Sequence, residues 1–224
     1  MNGDLVLVWS NLFYLLPVFV ALYKSWHNKT VHGAVIFNFL AVGLASSAHH
    51  LCDTRSIDIC WRPAQELYFG DVFFSYLAIL TTPVPFYTSS FGQVAIGFNT
   101  FAAYGVWLLF GDKSEGALII VCISLLGFLL SQFNDVRKDK SRLLTIVPAA
   151  ALVAFGIYAK MRSDEYSPND GTTNYRLWHS IWHSLTAASA AVLYLHLPVL
   201  SEFKYCQLEV LPRQTKFSKP FARV

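Results

Sequence analysis

Four of the seven histidines form two close pairs whose spacing suits metal binding. His179 and His183 are four residues apart, so a helix would place both imidazoles on one face, about 5–6 Å apart. His49 and His50 are the second pair. Three imidazoles plus a water make an open tetrahedral zinc site, and we predict that His50, His179 and His183 are the ligands. The alternative is a set of imidazoles that only make hydrogen bonds.

Two further polar residues could support this metal site. Ser46 lies four residues before His50, and therefore on the same helix face. Asp71 occurs in an apolar stretch, where a buried carboxylate needs a partner. A metal-bound water or an imidazole N–H would supply that partner. We therefore expect Ser46 and Asp71 to lie beside the histidines.

The composition indicates that these residues belong to a membrane protein. Apolar residues make up 54% of the chain, charged residues only 14%, and the mean hydropathy is +0.43. The apolar residues form long blocks, and a block of about 18 residues can cross a bilayer as a helix. The first block lacks the basic start of a signal peptide, so it counts as a span. Nothing in the charge pattern indicates nucleic-acid binding.

The apolar blocks predict an all-α membrane protein, a seven-transmembrane helix bundle. The predicted spans are residues 4–23, 33–51, 64–82, 89–110, 117–133, 143–159 and 174–197. They place His50 at the end of the second span and the pair His179 and His183 at the start of the seventh, at the same membrane depth. The predicted membrane domain is residues 1–198, and residues 199–224 form a short basic cytosolic tail.

The distribution of lysine and arginine predicts the orientation of the bundle. Of the 17 basic residues, eleven lie on the side that carries the carboxyl-terminal tail and six lie on the other side. Basic loops face the cytosol, so the amino terminus is expected outside and the carboxyl terminus in the cytosol. The glycosylation sequon at Asn28 disagrees, because this orientation places it in a cytosolic loop.

Three cysteines have predicted roles that follow from this orientation. Cys52 and Cys60 border the loop after the second span, which is expected outside the cell, where disulfides persist. We predict a Cys52–Cys60 disulfide that holds the helix end carrying His50, and the alternative is two free thiols. Cys206 lies just beyond the seventh span in the cytosol, where a cysteine is a candidate for palmitoylation.

The combination of Ser46-x-x-x-His50, Asp71 and His179-x-x-x-His183 resembles the signature of a large superfamily of seven-helix membrane proteins. That superfamily includes the alkaline ceramidases and the progestin and adiponectin receptors. The resemblance covers the whole helical region. It implies one zinc ion held by the three histidines.

A narrower resemblance is to the myomaker branch, which comprises muscle-cell fusion proteins and their larger relatives. The matching segments are His49-His50-Leu51-Cys52, Cys60, Leu67-Tyr68-Phe69-Gly70-Asp71 and His179-Ser180-Ile181-Trp182-His183. The resemblance implies a plasma-membrane protein of fusing myoblasts, with the Golgi as a second location, that acts where outer leaflets merge. The tail departs from the vertebrate proteins, because it lacks their cysteine cluster and offers only Cys206.

Three functions fit this pattern. The first is a fusion protein whose partners are membrane lipids, a facing cell and a fusion co-factor protein. Its contacts would use charged outer loops, which contain Asp53, Arg55, Asp58, Arg62, Asp164, Glu165 and Asp170. The second is a zinc-dependent hydrolase of lipid amides or esters, with Asp71 as general base and Ser46 binding the developing oxyanion. The third is a receptor or scaffold, although the cytosolic loops are short.

The fourth span carries three small residues that permit close approach of another helix. They are Gly97, Ala102 and Gly105. Small residues at such spacing occur both in ordinary bundle packing and in dimer interfaces. A homodimer is therefore an alternative to packing within the chain.

Overall fold

The computed structural model of the chain describes residues 4–28, 33–53, 64–86, 89–166 and 173–196. These residues are nearly all helical, and no strand occurs among them. The α-helices are α1 (Asp4–Ser10), α2 (Leu15–Asn28), α3 (Gly33–Asp53), α4 (Ala64–Thr81), α5 (Ser89–Phe110), α6 (Ser114–Lys138), α7 (Leu143–Asp164) and α8 (Thr173–His196). Short 3-10 turns cover Asn11–Tyr14, Val84–Phe86 and Lys140–Arg142. The prediction of an all-helical fold is confirmed for this part of the chain.

Four helical segments among the described residues are long and apolar enough to cross a membrane. They are Leu5–Trp26, Val35–Cys52, Ser114–Phe133 and Lys140–Asp164. The outer surface of the bundle is apolar as well: Leu44, Phe101, Leu109, Leu130 and Leu144 are between 71% and 80% exposed. Apolar surface on this scale is unfavourable in water and suits hydrocarbon, so the fold indicates a membrane protein. The count of seven spans and the orientation remain predictions.

Several helices run past the ends predicted from hydropathy. The second helix of the first span, α2, continues to Asn28, α6 to Lys138 and α7 to Asp164. The reason is that hydropathy falls at the first charged residue, whereas helical hydrogen bonding continues into the membrane interface. Lys160, which hydropathy places in a loop, is consequently part of α7.

The first helical segment packs between α3 and α8, the two helices that carry the histidine pairs. Both α1 and the 3-10 turn Asn11–Tyr14 contact α3 on one side and α8 on the other. The longest packing interfaces join α7 to α8 and α3 to α4. Between helices, buried amides supply hydrogen bonds: Asn38 Nδ2 donates to Thr81 Oγ1 (3.0 Å) and Asn99 Nδ2 to the Leu80 carbonyl (2.8 Å). In a bilayer the lipid tails are as apolar as the helix surfaces, so burial of apolar side chains does not by itself hold helices together. Hydrogen bonds of this kind contribute to helix association there.

A tight reversal joins α5 to α6 at one end of the bundle. Gly111 follows the last residue of α5 with a positive φ of 60°, and its N–H donates to the Trp107 carbonyl at 2.8 Å. A helix commonly ends at a residue in this left-handed conformation, and glycine adopts it without steric cost. The hydroxyl of Tyr76 on α4 then donates to the Gly111 carbonyl at 2.7 Å. The reversal is therefore fastened to α4.

A second reversal joins α6 to α7 at the other end. Asp139 Oδ1 accepts hydrogen bonds from the hydroxyl of Ser141 (2.6 Å) and from its N–H (3.0 Å). These two bonds, followed by the nearby charge of Arg142, lower the pKa of Asp139 below its ordinary value. Arg142 itself donates to the buried Gln132 at 3.0 Å. The basic segment predicted to face the cytosol thus has a defined conformation.

Gly116 on α6 lies where a larger side chain would collide with this framework. A Cβ built there would lie 2.5 Å from Tyr76 Oη and 2.9 Å from Phe110 Cβ. We predict that Gly116→Ala lowers the free energy of unfolding by about 1–3 kcal/mol, the usual cost of overpacking a core. The change would appear as a lower thermal midpoint of the purified protein in detergent.

Gly97→Ala, compared on the monomeric protein, is the matched control, because apart from its own helix backbone and chain neighbours no atom of the described residues lies within 4 Å of the Cβ position at Gly97. Alanine is the better helix former at such an open position, so its midpoint should not fall. Equal midpoints for the two variants would contradict the packing described for Gly116.

Candidate metal centre

Three buried histidines meet where α3 and α8 approach one another. His50 lies near the end of α3, and His179 and His183 lie in the first half of α8. They are 5%, 8% and 2% exposed. One nitrogen from each ring lies within 4.8 Å of the other two nitrogens. The structure therefore brings together the three residues that the sequence predicts as metal ligands.

The ring geometry places the imidazoles around a common centre. The ring centroids of His179 and His183 are 4.6 Å apart, slightly closer than the 5–6 Å expected from their i, i+4 spacing. The centroid of His50 lies 5.3 Å from that of His179 and 5.9 Å from that of His183. Nitrogen ligands bind zinc at about 2 Å, so small side-chain rotations would bring all three nitrogens to one ion.

Two ring nitrogens of the cluster have no hydrogen-bond partner among the described residues. They are Nε2 of His50 and Nδ1 of His179, and both are buried. A buried polar atom without a partner costs about 1–3 kcal/mol. A divalent metal ion would satisfy both nitrogens at once. The donor set and its unpaired atoms thus fit a metal such as zinc.

Asp71 and Ser46 lie beside the histidines, as predicted. Asp71 on α4 is 7% exposed, and its Oδ2 lies 4.0 Å from Nε2 of His50. Ser46 is fully buried one helical turn before His50. Its hydroxyl lies beside the Asp71 carboxyl without forming a well-aligned hydrogen bond within the described structure. The carboxylate therefore faces the side of His50 on which a metal would bind.

His49 occupies a different position from His50, although the two are adjacent in sequence. Its ring lies 5.2 Å from that of His50 and packs at 5.5 Å against Tyr68. It lines the same small cavity but does not belong to the group of three ligands. The choice of His50, which rests on the Ser46 spacing and on the superfamily resemblance, agrees with this geometry.

Sequence reasoning missed two residues at the site. Ser10 on α1 lies 3.1 Å from Nδ1 of His183, measured from its Oγ. Lys160 on α7 is 6% exposed and lines the small cavity together with the histidines. Its ammonium group pairs with Asp164, whose Oδ2 also accepts the N–H of Ser114 at 2.9 Å. Ser10 could have been found as a polar residue inside an apolar span. Lys160 could have been found because Asp164, four residues later, is placed to pair with it on a helix.

Two cavities adjoin one another at the site. The smaller, about 50 Å³, is polar and is lined by the three histidines, Asp71 and Lys160 among others. The larger, about 380 Å³, is almost entirely apolar and extends between α4, α6, α7 and α8. Ser75 and Trp182 line both cavities. The histidine cluster is therefore next to a space of the size that holds small ligands, about 300–1,000 Å³.

Several predicted residues lie at or beyond the limits of the described chain. Cys52 falls in the last turn of α3, but Cys60 is outside the described residues, so the disulfide stays a prediction. Cys206 also lies outside them. Asn28 is the last residue of α2, and the remainder of its sequon is not described.

Residues 4–184 match a family described as "Protein of unknown function (DUF3522)". The chain belongs to this family. The matched region contains Ser10, Ser46, His50, Asp71, Lys160, His179 and His183. No curated protein matches the chain. The family description names no activity.

The geometry makes a direct prediction about metal content. We expect the purified chain to contain about one zinc ion, the stoichiometry of a three-histidine site. His50→Ala should remove it, because the site loses one of its three nitrogens, whereas His49→Ala should retain it. Elemental analysis of the two variants, purified in parallel without added metal, checks the result. Retention of zinc by His50→Ala and its loss from His49→Ala would assign the third ligand to His49.

Proposed function

We propose that the chain is a multi-pass plasma-membrane protein that promotes the fusion of myoblasts at the step where outer leaflets merge. The observation that supports the proposal is the convergence of Ser46, His50, Asp71, His179 and His183 in one buried cluster. These are the residues whose pattern carries the resemblance to the muscle-cell fusion branch. In this proposal zinc is bound by the three histidines and holds the ends of α3 and α8 together.

A metal at this position would act first on the architecture of the bundle. His50 and His179 come from helices separated by more than half of the chain, and α1 lies in contact with both of those helices. Coordination by residues from two helices fixes their relative position, because the metal cannot keep its geometry if the helices slide. A rigid outer end is a reasonable requirement for a protein that brings two bilayers close.

Fewer of the predicted loop charges are free to contact a facing cell than the sequence suggests. Asp164 pairs with Lys160, and Glu165 pairs with Arg162 on the same helix end. These carboxylates are therefore already neutralised within their own chain. Contacts with a facing cell would therefore use the remaining predicted loop charges. Four of these, Arg55, Asp58, Arg62 and Asp170, lie outside the described residues.

A homodimer remains part of the proposal, with α5 as the contact helix. Apart from their own helix backbone and chain neighbours, Gly97 and Gly105 have no atom of the described residues within 4 Å of their Cβ positions, so neither is used for close packing within that part of the chain. Ala102, in contrast, packs against the bundle's own core. The open glycines are thus available to a second copy, and Ala102 is not.

A second function, hydrolysis of a lipid amide or ester, is favoured by one specific observation. The apolar cavity of about 380 Å³ adjoins the polar cavity that contains the histidines, and it could hold an acyl chain with its carbonyl near Asp71. Bound zinc supplies Lewis acidity, which activates water and polarises a carbonyl. Asp71 would accept the proton of the attacking water and later pass it to the leaving amine or alkoxide. The Ser46 hydroxyl would donate to the developing oxyanion.

Cell mixing tests the fusion proposal. Expression of the intact chain in non-fusing cells, cultured beside muscle cells, should produce cells that share both cytoplasmic labels. The variant with His179→Ala and His183→Ala should reach the surface and lose most of this activity, because the outer ends of α3 and α8 are no longer joined. His49→Ala is the control and should mix normally. Surface-exposed intact chain that produces no mixing would remove fusion from consideration.

Release of fatty acid from ceramide or phospholipid vesicles tests the second function. Asp71→Asn keeps the shape of the side chain and the three metal ligands but cannot take up the proton. We expect it to retain zinc and to lose about 10²–10⁴-fold in rate, the usual contribution of a general base. Absence of release by the zinc-loaded intact chain would exclude this function for the lipids tested.

A further inference from the structure

Ser10 connects the first helix to the histidine cluster. We infer, on the basis of the metal site proposed above, that Ser10 is a positioning residue: it fixes the tautomer of His183 so that Nε2 is free to bind the metal. The inference rests on two hydrogen bonds that share one oxygen atom. Ser10 Oγ lies 2.7 Å from the Leu7 carbonyl and 3.1 Å from Nδ1 of His183.

The proton count of these two bonds decides their direction. A serine hydroxyl has one proton to donate and can also accept hydrogen bonds. The Leu7 carbonyl can only accept, so the hydroxyl proton must point to it. Ser10 Oγ is then the acceptor of the second bond, and Nδ1 of His183 must carry the proton. A neutral imidazole protonated on Nδ1 has its lone pair on Nε2, which is the form that a metal ligand requires.

The surroundings prevent other partners from replacing Ser10. Ser10 is 5% exposed and His183 is 2% exposed, so bulk water has little access to the bond. The ring of Tyr14 packs 5.4 Å from that of His183 and restricts its rotation. Metal-bound histidines commonly hold their orientation through a bond of this kind from the second ring nitrogen.

The same turn is also attached to the helix that supplies the third ligand. Asn11, directly after Ser10, donates from Nδ2 to Ser47 Oγ on α3 at 3.3 Å. Adjacent residues of the first helical segment therefore contact α8 and α3, the two helices that carry the ligands. These two buried polar residues lie where α1 ends and the 3-10 turn begins, inside an otherwise apolar span.

The first test compares zinc affinity in the full-length protein. We expect Ser10→Ala to weaken binding by about 10–100-fold, the range seen when such a partner is removed. Ser10→Thr keeps the hydroxyl and should restore affinity. Ser163→Ala is a matched control, since Ser163 is fully buried and donates to the Lys160 carbonyl at 2.7 Å, three residues earlier, as Ser10 does to Leu7. Affinity is measured by competition with a zinc chelator in lipid nanodiscs.

The second test reads the tautomer directly in the metal-free chain. Nitrogen NMR of histidine-labelled protein, with the signals of His183 assigned from His183→Gln, should show the proton on Nδ1 in the intact chain and in Ser163→Ala. Ser10→Ala should move it wholly or partly to Nε2. A proton on Nε2 in the intact chain, or an unchanged tautomer in Ser10→Ala, would overturn the inference.

The two tests separate failure of this inference from failure of the proposed metal site. Tight zinc binding that Ser10→Ala leaves unchanged would overturn the role of Ser10 alone. An intact chain that binds no zinc would overturn the metal site, and the role of Ser10 toward a metal with it.

Discussion

The organisation of the bundle depends on the burial of three imidazoles among apolar helices. His50, His179 and His183 are each less than a tenth exposed, and two of their nitrogens have no hydrogen-bond partner within the described structure. In an apolar interior each such atom is costly, and a cluster of them persists only if something satisfies it. A shared metal ion would satisfy all three rings together. The packing of α3, α8 and α1 can then be understood as the framework that keeps these nitrogens within reach of one another.

That framework has a polar support on either side of the histidines. On one side, Ser10 and Asn11 attach the first helical segment to α8 and α3. On the other side, Asp164 joins the buried Lys160 to the first N–H of α6. A carboxylate at the start of a helix is also favoured by the helix dipole. Polar groups that would be unfavourable singly are thus paired in positions that restrain the helices around the site.

The sequence predicts the clustering of the three histidines better than it predicts the polar residues that support them. The spacing of His179 and His183 and that of Ser46 and His50 assign each pair to one helix face, and the structure confirms both faces. Periodicity within a helix does not show which other helix it contacts, so the bond from Ser10 to His183, across 173 residues, could not be derived. Lys160 was missed for another reason. Hydropathy treats every charge as a marker of the surface, whereas a partner four residues later allows this charge to be buried.

The position of Asp71 bears on whether a bound metal would only hold helices or would also act on a ligand. A carboxylate that merely oriented His50 would contact the ring nitrogen that does not bind the metal. Asp71 instead lies 4.0 Å from Nε2, the unpaired nitrogen itself. If Nε2 binds the metal, it cannot also donate to Asp71, so the carboxylate must face the metal or a water beside it. A purely structural site has no need of that arrangement, nor of an apolar cavity that shares Ser75 and Trp182 with it. The geometry therefore leaves room for a ligand beside the three histidines.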